Sequence, residues 1–221
     1  MSRFLPEDAT PEEISRQADL YGPFTQAIRD LVDAGLRTLV DGDDVRTAQA
    51  EIEAVTARLR KEQIDGGFGV RYTPEGKGRA WGNAVMGLRN AIAPPLTITI
   101  DADGRAVSDF HLGAAYEGPP GLVHGGMISM VLDQMLGQAA GAGGRPGMTG
   151  TLTIVYRQGT PLGDLRAEAW IDRSEGIKTW AKGHLIGPDG VTAEAEGIFV
   201  LPRWARQLLV ARDEQPPEFF E

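Results

Sequence analysis

Two periodicities divide the chain. Between residues 10 and 64 apolar residues recur every three or four positions: Ile28, Leu31, Val32, Leu36, Leu39 and Val40, then Val45, Ala48, Ile52, Val55 and Leu59. This is the spacing of one face of a helix, so the pattern predicts two helices broken at Asp41-Gly42-Asp43-Asp44. Thr10-Pro11-Glu12-Glu13 reads as a helix start, with a Thr cap, Pro in the first position and acids facing the helix dipole. Two helices alone make a thin core, so the hairpin is expected to pack on the rest of the chain or on a partner subunit. It carries no evident chemistry.

Residues 66–93 are rich in glycine and read as loop. From Pro94 the period becomes two: Leu96, Ile98 and Ile100 alternate with polar residues, Asp103-Gly104 marks a turn, and Ala106–Leu112 is a second strand. A strongly apolar helix is predicted from about Gly125 to Ala140. Strands follow at Met148–Arg157, Asp164–Asp172, Ile177–Gly187 and Gly190–Leu201, separated by turn sequences. One long helix inside a run of about six strands, with no βαβ alternation, predicts an α+β fold in which an antiparallel sheet curls around the helix. The expected organisation is a helical extension over 1–66, a sheet-and-helix domain over 67–202 and a C-terminal tail over 203–221.

Composition narrows the function. The 221 residues carry 22 Lys and Arg against 31 Asp and Glu, a net charge of −9. Such a chain is repelled by a phosphate backbone, which argues against nucleic-acid binding. The absence of cysteine excludes disulfides, thiolate zinc sites and cysteine nucleophiles. The N-terminus lacks an apolar run, and no stretch approaches the roughly 20 apolar residues of a membrane helix. No membrane partner and a cytoplasmic location are therefore expected.

The predicted helix Gly125–Ala140 is apolar on nearly every side, yet Asp133 sits in its middle. A carboxylate there needs a partner, because burying it alone costs several kcal/mol. A bond to a neighbouring backbone group or hydroxyl would suffice structurally. The helix start reads Gly121-Leu-Val-His124-Gly125-Gly126. Glycines at a helix start let a ligand approach the free N–H donors, which suit a polarised carbonyl or an oxyanion; tight helix–sheet packing is the alternative reason for them. His124 alone reads more readily as a capping or core residue than as a catalyst. Nine residues of helix rise roughly 13.5 Å, too far for Asp133 and the helix start to serve one carbonyl within one chain. If both act on one substrate, they come from two chains across a two-fold axis.

The run Gly121-Leu-Val-His-Gly-Gly-Met-Ile-Ser-Met-Val-Leu-Asp133, with Gly147-Met148-Thr149, Leu152-Thr-Ile-Val-Tyr-Arg157 and Thr160-Pro161-Leu162, resembles the hot-dog-fold acyl-CoA thioesterases. The likeness is to the phenylacetic-acid-pathway (PaaI-like) group and to thioesterase superfamily members four and five, over roughly residues 90–201. It implies a hot-dog fold and hydrolysis of acyl-CoA to a free acid and coenzyme A by a homodimer or homotetramer. No metal or redox cofactor is implied. Asp133 matches the catalytic acid, acting as general base or as nucleophile. Gly125 matches the N–H that binds the thioester carbonyl, His124 the residue that helps place it, and Thr149 the hydroxyl that orients water. Gly126, Val155, Arg157, Gly176, Lys178 and Thr179 match positions that contact the substrate. Gln158-Gly159 departs from the Arg-Pro that often follows the Tyr.

Other motifs fall away. Gly141–Gly147 lacks the Lys-Ser or Lys-Thr of a phosphate loop, and no Gly-x-Ser-x-Gly elbow is present; Ser129 has no evident partner. His111, His124 and His184 lack metal-ligand spacing. Met127, Met130 and Met135 suit flexible core or the lining of an acyl tunnel. The rival readings are a hot-dog dehydratase, a non-catalytic acyl-CoA binder or sensor, and a purely structural oligomer.

Overall fold

The computed structural model describes residues 4–73 and 78–202. The expected tail at 203–221 lies outside them. Among the described residues three α-helices, α1 (Pro11–Arg37), α2 (Gly42–Leu59) and α3 (Gly125–Ala142), accompany nine strands. The strands are β1 (Phe4–Pro6), β2 (Val70–Tyr72), β3 (Gly78–Arg79), β4 (Thr99–Ile100), β5 (Ala106–Leu112), β6 (Met148–Tyr156), β7 (Gly163–Glu175), β8 (Lys178–Gly187) and β9 (Gly190–Val200).

Each helix begins at a side-chain cap. Thr10 Oγ1 accepts from the Glu13 N–H at 3.2 Å. The Asp41 carboxylate takes the N–H groups of Asp43 and Asp44 at 3.0 and 3.1 Å, and His124 Nδ1 takes that of Gly126 at 2.9 Å. These bonds satisfy donors that the helix cannot pair internally.

Six strands form one antiparallel sheet in the order β4-β5-β7-β8-β9-β6, and α3 packs across it. This is the architecture the resemblance implies. The close fit has a simple cause. Ala106, Ala167, Ala169, Ala181, Ala193 and Ala195 are buried on the face toward the helix, with Gly183 and Gly197 among them. A floor of methyl groups and bare backbone lets Val131, Leu132, Met135 and Leu136 of α3 bury completely. A Cβ on Gly183 would stand 2.8 Å from Leu136 Cδ1. At the β7–β8 turn, Gly176 adopts φ +55°, a conformation that favours glycine.

The stretch read as loop contains two short strands. β2 pairs parallel with β1 and antiparallel with β3, making a separate three-stranded sheet. Arg79 bridges this sheet to Glu7 and lies over the Trp81 ring at 4.1 Å. Arg29 ties α1 to the following loop, donating to the carbonyls of Ala93 and Asn90 at 3.0 Å each. By contrast, α2 buries none of its residues. Its apolar stripe is left open among the described residues, which do not supply the covering expected from sequence.

Candidate active site

Asp133 lies midway along α3 and is half-buried rather than enclosed. Thr149 Oγ1 donates to its Oδ1 at 2.8 Å. Thr149 reaches it through an irregularity in β6: Thr149 pairs with Phe199 and Thr151 with Ile198, leaving Gly150 as an extra residue. That bulge puts Thr149 in the row of Phe199, on the helix side of the sheet with Leu152 and Ile154.

The start of α3 is a second cluster. His124 Nδ1 accepts the Gly126 N–H at 2.9 Å, so that donor is taken up by the cap. An accepting Nδ1 places the proton of a neutral imidazole on Nε2, which becomes a donor. The Gly125 N–H, first in the helix, has no partner among the described residues. It stands at the positive end of the helix dipole. The Tyr156 hydroxyl donates to the Gly125 carbonyl at 2.8 Å. Ser129 Oγ lies 3.1 Å from the same oxygen and 2.9 Å from Tyr156 Oη. Ser129 thus has the partner that the sequence did not reveal. The signal for Tyr156 was the alternation Leu152, Ile154, Tyr156, which aims it at the helix.

The remaining candidates divide between these two ends. Thr179, Phe199 and Thr149 share one row of the sheet, with Lys178, Val200 and Met148 in the next. Val155 pairs with Glu194, six residues along β9 from Val200 or roughly 20 Å at about 3.3 Å per residue. Within one chain, Asp133, Thr149, Lys178 and Thr179 therefore sit apart from Gly125, His124, Val155 and Arg157.

Arg157 is already engaged. Its Nε donates to Glu194 Oε2 at 3.0 Å, and this bond foremost raises the guanidinium pKa above its usual value. Lys178 is exposed and forms no ion pair among the described residues. Thr179 is not at the surface: it is only 3% exposed. With Gly176, Arg145, Ile177 and Leu201 it lines a cleft of 290 Å³, where Arg145 donates to the Gly176 carbonyl at 3.3 Å. Met135 is buried in the core, and Met127 and Met130 pack partly exposed beside it. Among the described residues no three His, Asp or Glu side chains are grouped to hold a metal, and no helix is long and apolar enough to cross a membrane.

No family model matches the chain. The crystal structure of a thioesterase superfamily protein aligns with 89% of this chain and 98% of its own, at 30% identity and a TM-score of 0.73. Residues 67–221 number 221 − 66 = 155, too few to fill that 89%, so the match extends into the N-terminal helices. The acyl-coenzyme A thioesterase THEM4 of Xenopus laevis is 33% identical over 104 residues, 45% of this chain and 46% of that protein. The chain thus matches less than half the length of that relative.

Proposed function

The chain belongs to the thioesterase superfamily, and from that premise we propose that it hydrolyses acyl-CoA to a carboxylic acid and coenzyme A, at a site completed by a second copy. The observation that carries the proposal is the split between the Asp133–Thr149 pair and the free Gly125 N–H. From Gly125 to Asp133 the helix rises about 12 Å, and thioester hydrolysis needs both functions at one carbonyl.

An antiparallel pairing of two β6 strands would join them. β6 ends the sheet, bonded to β9 on one side and unpaired on the other among the described residues. Its midpoint lies near Leu152, so a two-fold axis there sets the Thr149 end of one copy beside the Tyr156 end of the other. The same operation brings Lys178 and Thr179 toward the second copy's Val155 and Arg157. Coenzyme A phosphates would then meet Lys178, and Arg157 once Glu194 releases it.

The bond to Asp133 uses the Thr149 proton, leaving lone pairs to accept from a water, while Asp133 Oδ2 is free to take a proton from that water. This favours Asp133 as general base over nucleophile. Water oxygen bonds to the thioester carbon, and the proton passes to Asp133. The carbonyl oxygen gathers charge against the Gly125 N–H and the His124 Nε2–H. The C–S bond then breaks, the carbonyl re-forms, and the thiolate leaves to be protonated as coenzyme A. No cofactor enters this reaction, and the cysteine-free composition suits a cytoplasmic setting.

The test is thiol release from short-, medium- and long-chain and aromatic acyl-CoAs, detected with a thiol-reactive dye to which this chain adds no background. Wild type turns over, and Asp133→Asn binds acyl-CoA without turnover. A folded wild type that binds acyl-CoA and releases no thiol on any substrate overturns hydrolysis and leaves the non-catalytic binder. A fully active monomer overturns the shared site.

A further inference from the structure

We infer that the open face of α2 is a self-association surface, on which a second copy of this chain docks its own α2 antiparallel about a two-fold axis. The inference is independent of the catalytic reading.

The first observation is apolar surface without a cover among the described residues. Val45, Ile52, Val55 and Leu59 recur on one side of α2, and each remains 42–48% exposed. Only Thr56, on the flank of the stripe, is partly shielded. Leu31, Val32, Leu36 and Val40 of the adjoining α1 end and loop are similarly exposed. At roughly 75 Å² for each half-exposed aliphatic side chain, the four on α2 open roughly 300 Å² per copy, and the end of α1 with its loop adds further exposed apolar surface. An apolar patch of roughly 300 Å² is of the size that is often functional on a soluble protein.

The second observation selects the occupant. α2 is acidic at its start, with Asp41, Asp43 and Asp44, and basic at its end, with Arg58, Arg60 and Lys61 beyond Glu51 and Glu53. An antiparallel copy sets acid against base at both ends, and opposes the two helix dipoles favourably. Counting by helical period, Asp44, Glu51 and Arg58 fall on one flank of the apolar stripe. With Ile52 on the axis, Val45 of one copy meets Leu59 of the other, and Asp44 meets Arg58. Glu51 then faces its own copy, a like-charge contact that the same geometry requires.

The absence of native cysteine makes the test direct. Single cysteines are placed in the full-length chain at Ile52, on the axis, and at Ala50, on the opposite side of α2. Under mild oxidation Ile52→Cys forms a disulfide-linked dimer at least tenfold faster than Ala50→Cys. Sedimentation equilibrium then reads the charges. Asp44→Lys and Arg58→Glu each weaken association about tenfold, the double variant restores it, and Glu51→Gln tightens it, while helicity by circular dichroism stays unchanged. Equal cross-linking at positions 50 and 52 overturns the proposal, as does association indifferent to all four charge variants. Loss of association in both single variants without recovery in the double overturns the antiparallel geometry and points to a different partner for the face. Thiol release from acyl-CoA by the cysteine-free Glu51→Gln chain reports on catalysis separately, so failure of either reading is visible without the other.

Discussion

Replacing Thr149 by valine removes one hydroxyl at nearly constant volume. In the structure that hydroxyl makes one bond, to Asp133 Oδ1 at 2.8 Å. A hydrogen bond to an ionised acceptor contributes about 1.5–3 kcal/mol, and about 1.4 kcal/mol is a factor of ten in rate. If the bond holds the carboxylate and the water in place for attack, Thr149→Val lowers kcat/KM by roughly ten- to a hundredfold. Thr149→Ser keeps the donor and recovers most of the loss. The assay is thiol release under first-order conditions, with thermal unfolding alongside. Thr149 is exposed at the sheet edge, so the melting temperature stays within about 2 °C of wild type. The reasoning fails if Thr149→Val keeps kcat/KM within twofold while Asp133→Asn is inactive, or if serine rescues nothing. Either result makes the threonine a bystander to the carboxylate.

Three further expectations follow from the same geometry. Gly125→Ala places a Cβ 3.2 Å from Tyr156 Oη, beside the free N–H; kcat falls at least a hundredfold with little loss of stability, and an unchanged kcat would exclude that N–H as the oxyanion donor. The Glu194 carboxyl is held below its ordinary 4.5 foremost by the hydrogen bond from Arg157. A lowered acid stabilises the fold above its ordinary value and loses that contribution as pH falls through the lowered one, so Arg157→Met moves the Glu194 NMR midpoint upward and flattens the pH dependence of stability below 4.5; an unmoved midpoint refutes the pairing. Gly183→Ala sets a Cβ 2.7 Å from the Glu168 carbonyl oxygen and 2.8 Å from Leu136 Cδ1. Such overpacking costs about 1–3 kcal/mol by urea unfolding, and a change below about 0.5 kcal/mol would show that the sheet floor yields.

What could be read from the sequence was what short-range periodicity encodes. The Thr10 and Asp41 caps, the extent of α3 and the four strands after it follow from neighbours a few residues apart. The small sheet did not announce itself, because β1 and β2 are three residues each and pair across more than sixty residues of chain. The Asp133–Thr149 pair was legible through family likeness, whereas its geometry was not. Alternation alone groups Thr149 with Thr151 and Thr153 on the outer face, and only the bulge turns it inward. The pairing of Arg157 with Glu194 was not legible, because the two lie 37 residues apart. That His124 caps α3 through the Gly126 N–H was open in the sequence, where a lone histidine serves as a cap or core residue more readily than as a catalyst.

The bulge at Gly150 also inverts the usual ranking of genetic lesions. Deleting a residue from the middle of a strand normally turns every later side chain to the wrong face. Here Gly150 is the residue the ladder does not count: without it, Thr149 and Thr151 still oppose Phe199 and Ile198 in order. Removing Gly150 leaves the threonine facing Asp133. A β-branched residue at the same place, favouring an unbroken ladder, advances the parity by one and carries the threonine to the outer face with its chemistry intact. A deletion is then milder than a substitution, and a strand can keep every residue it needs while losing their direction.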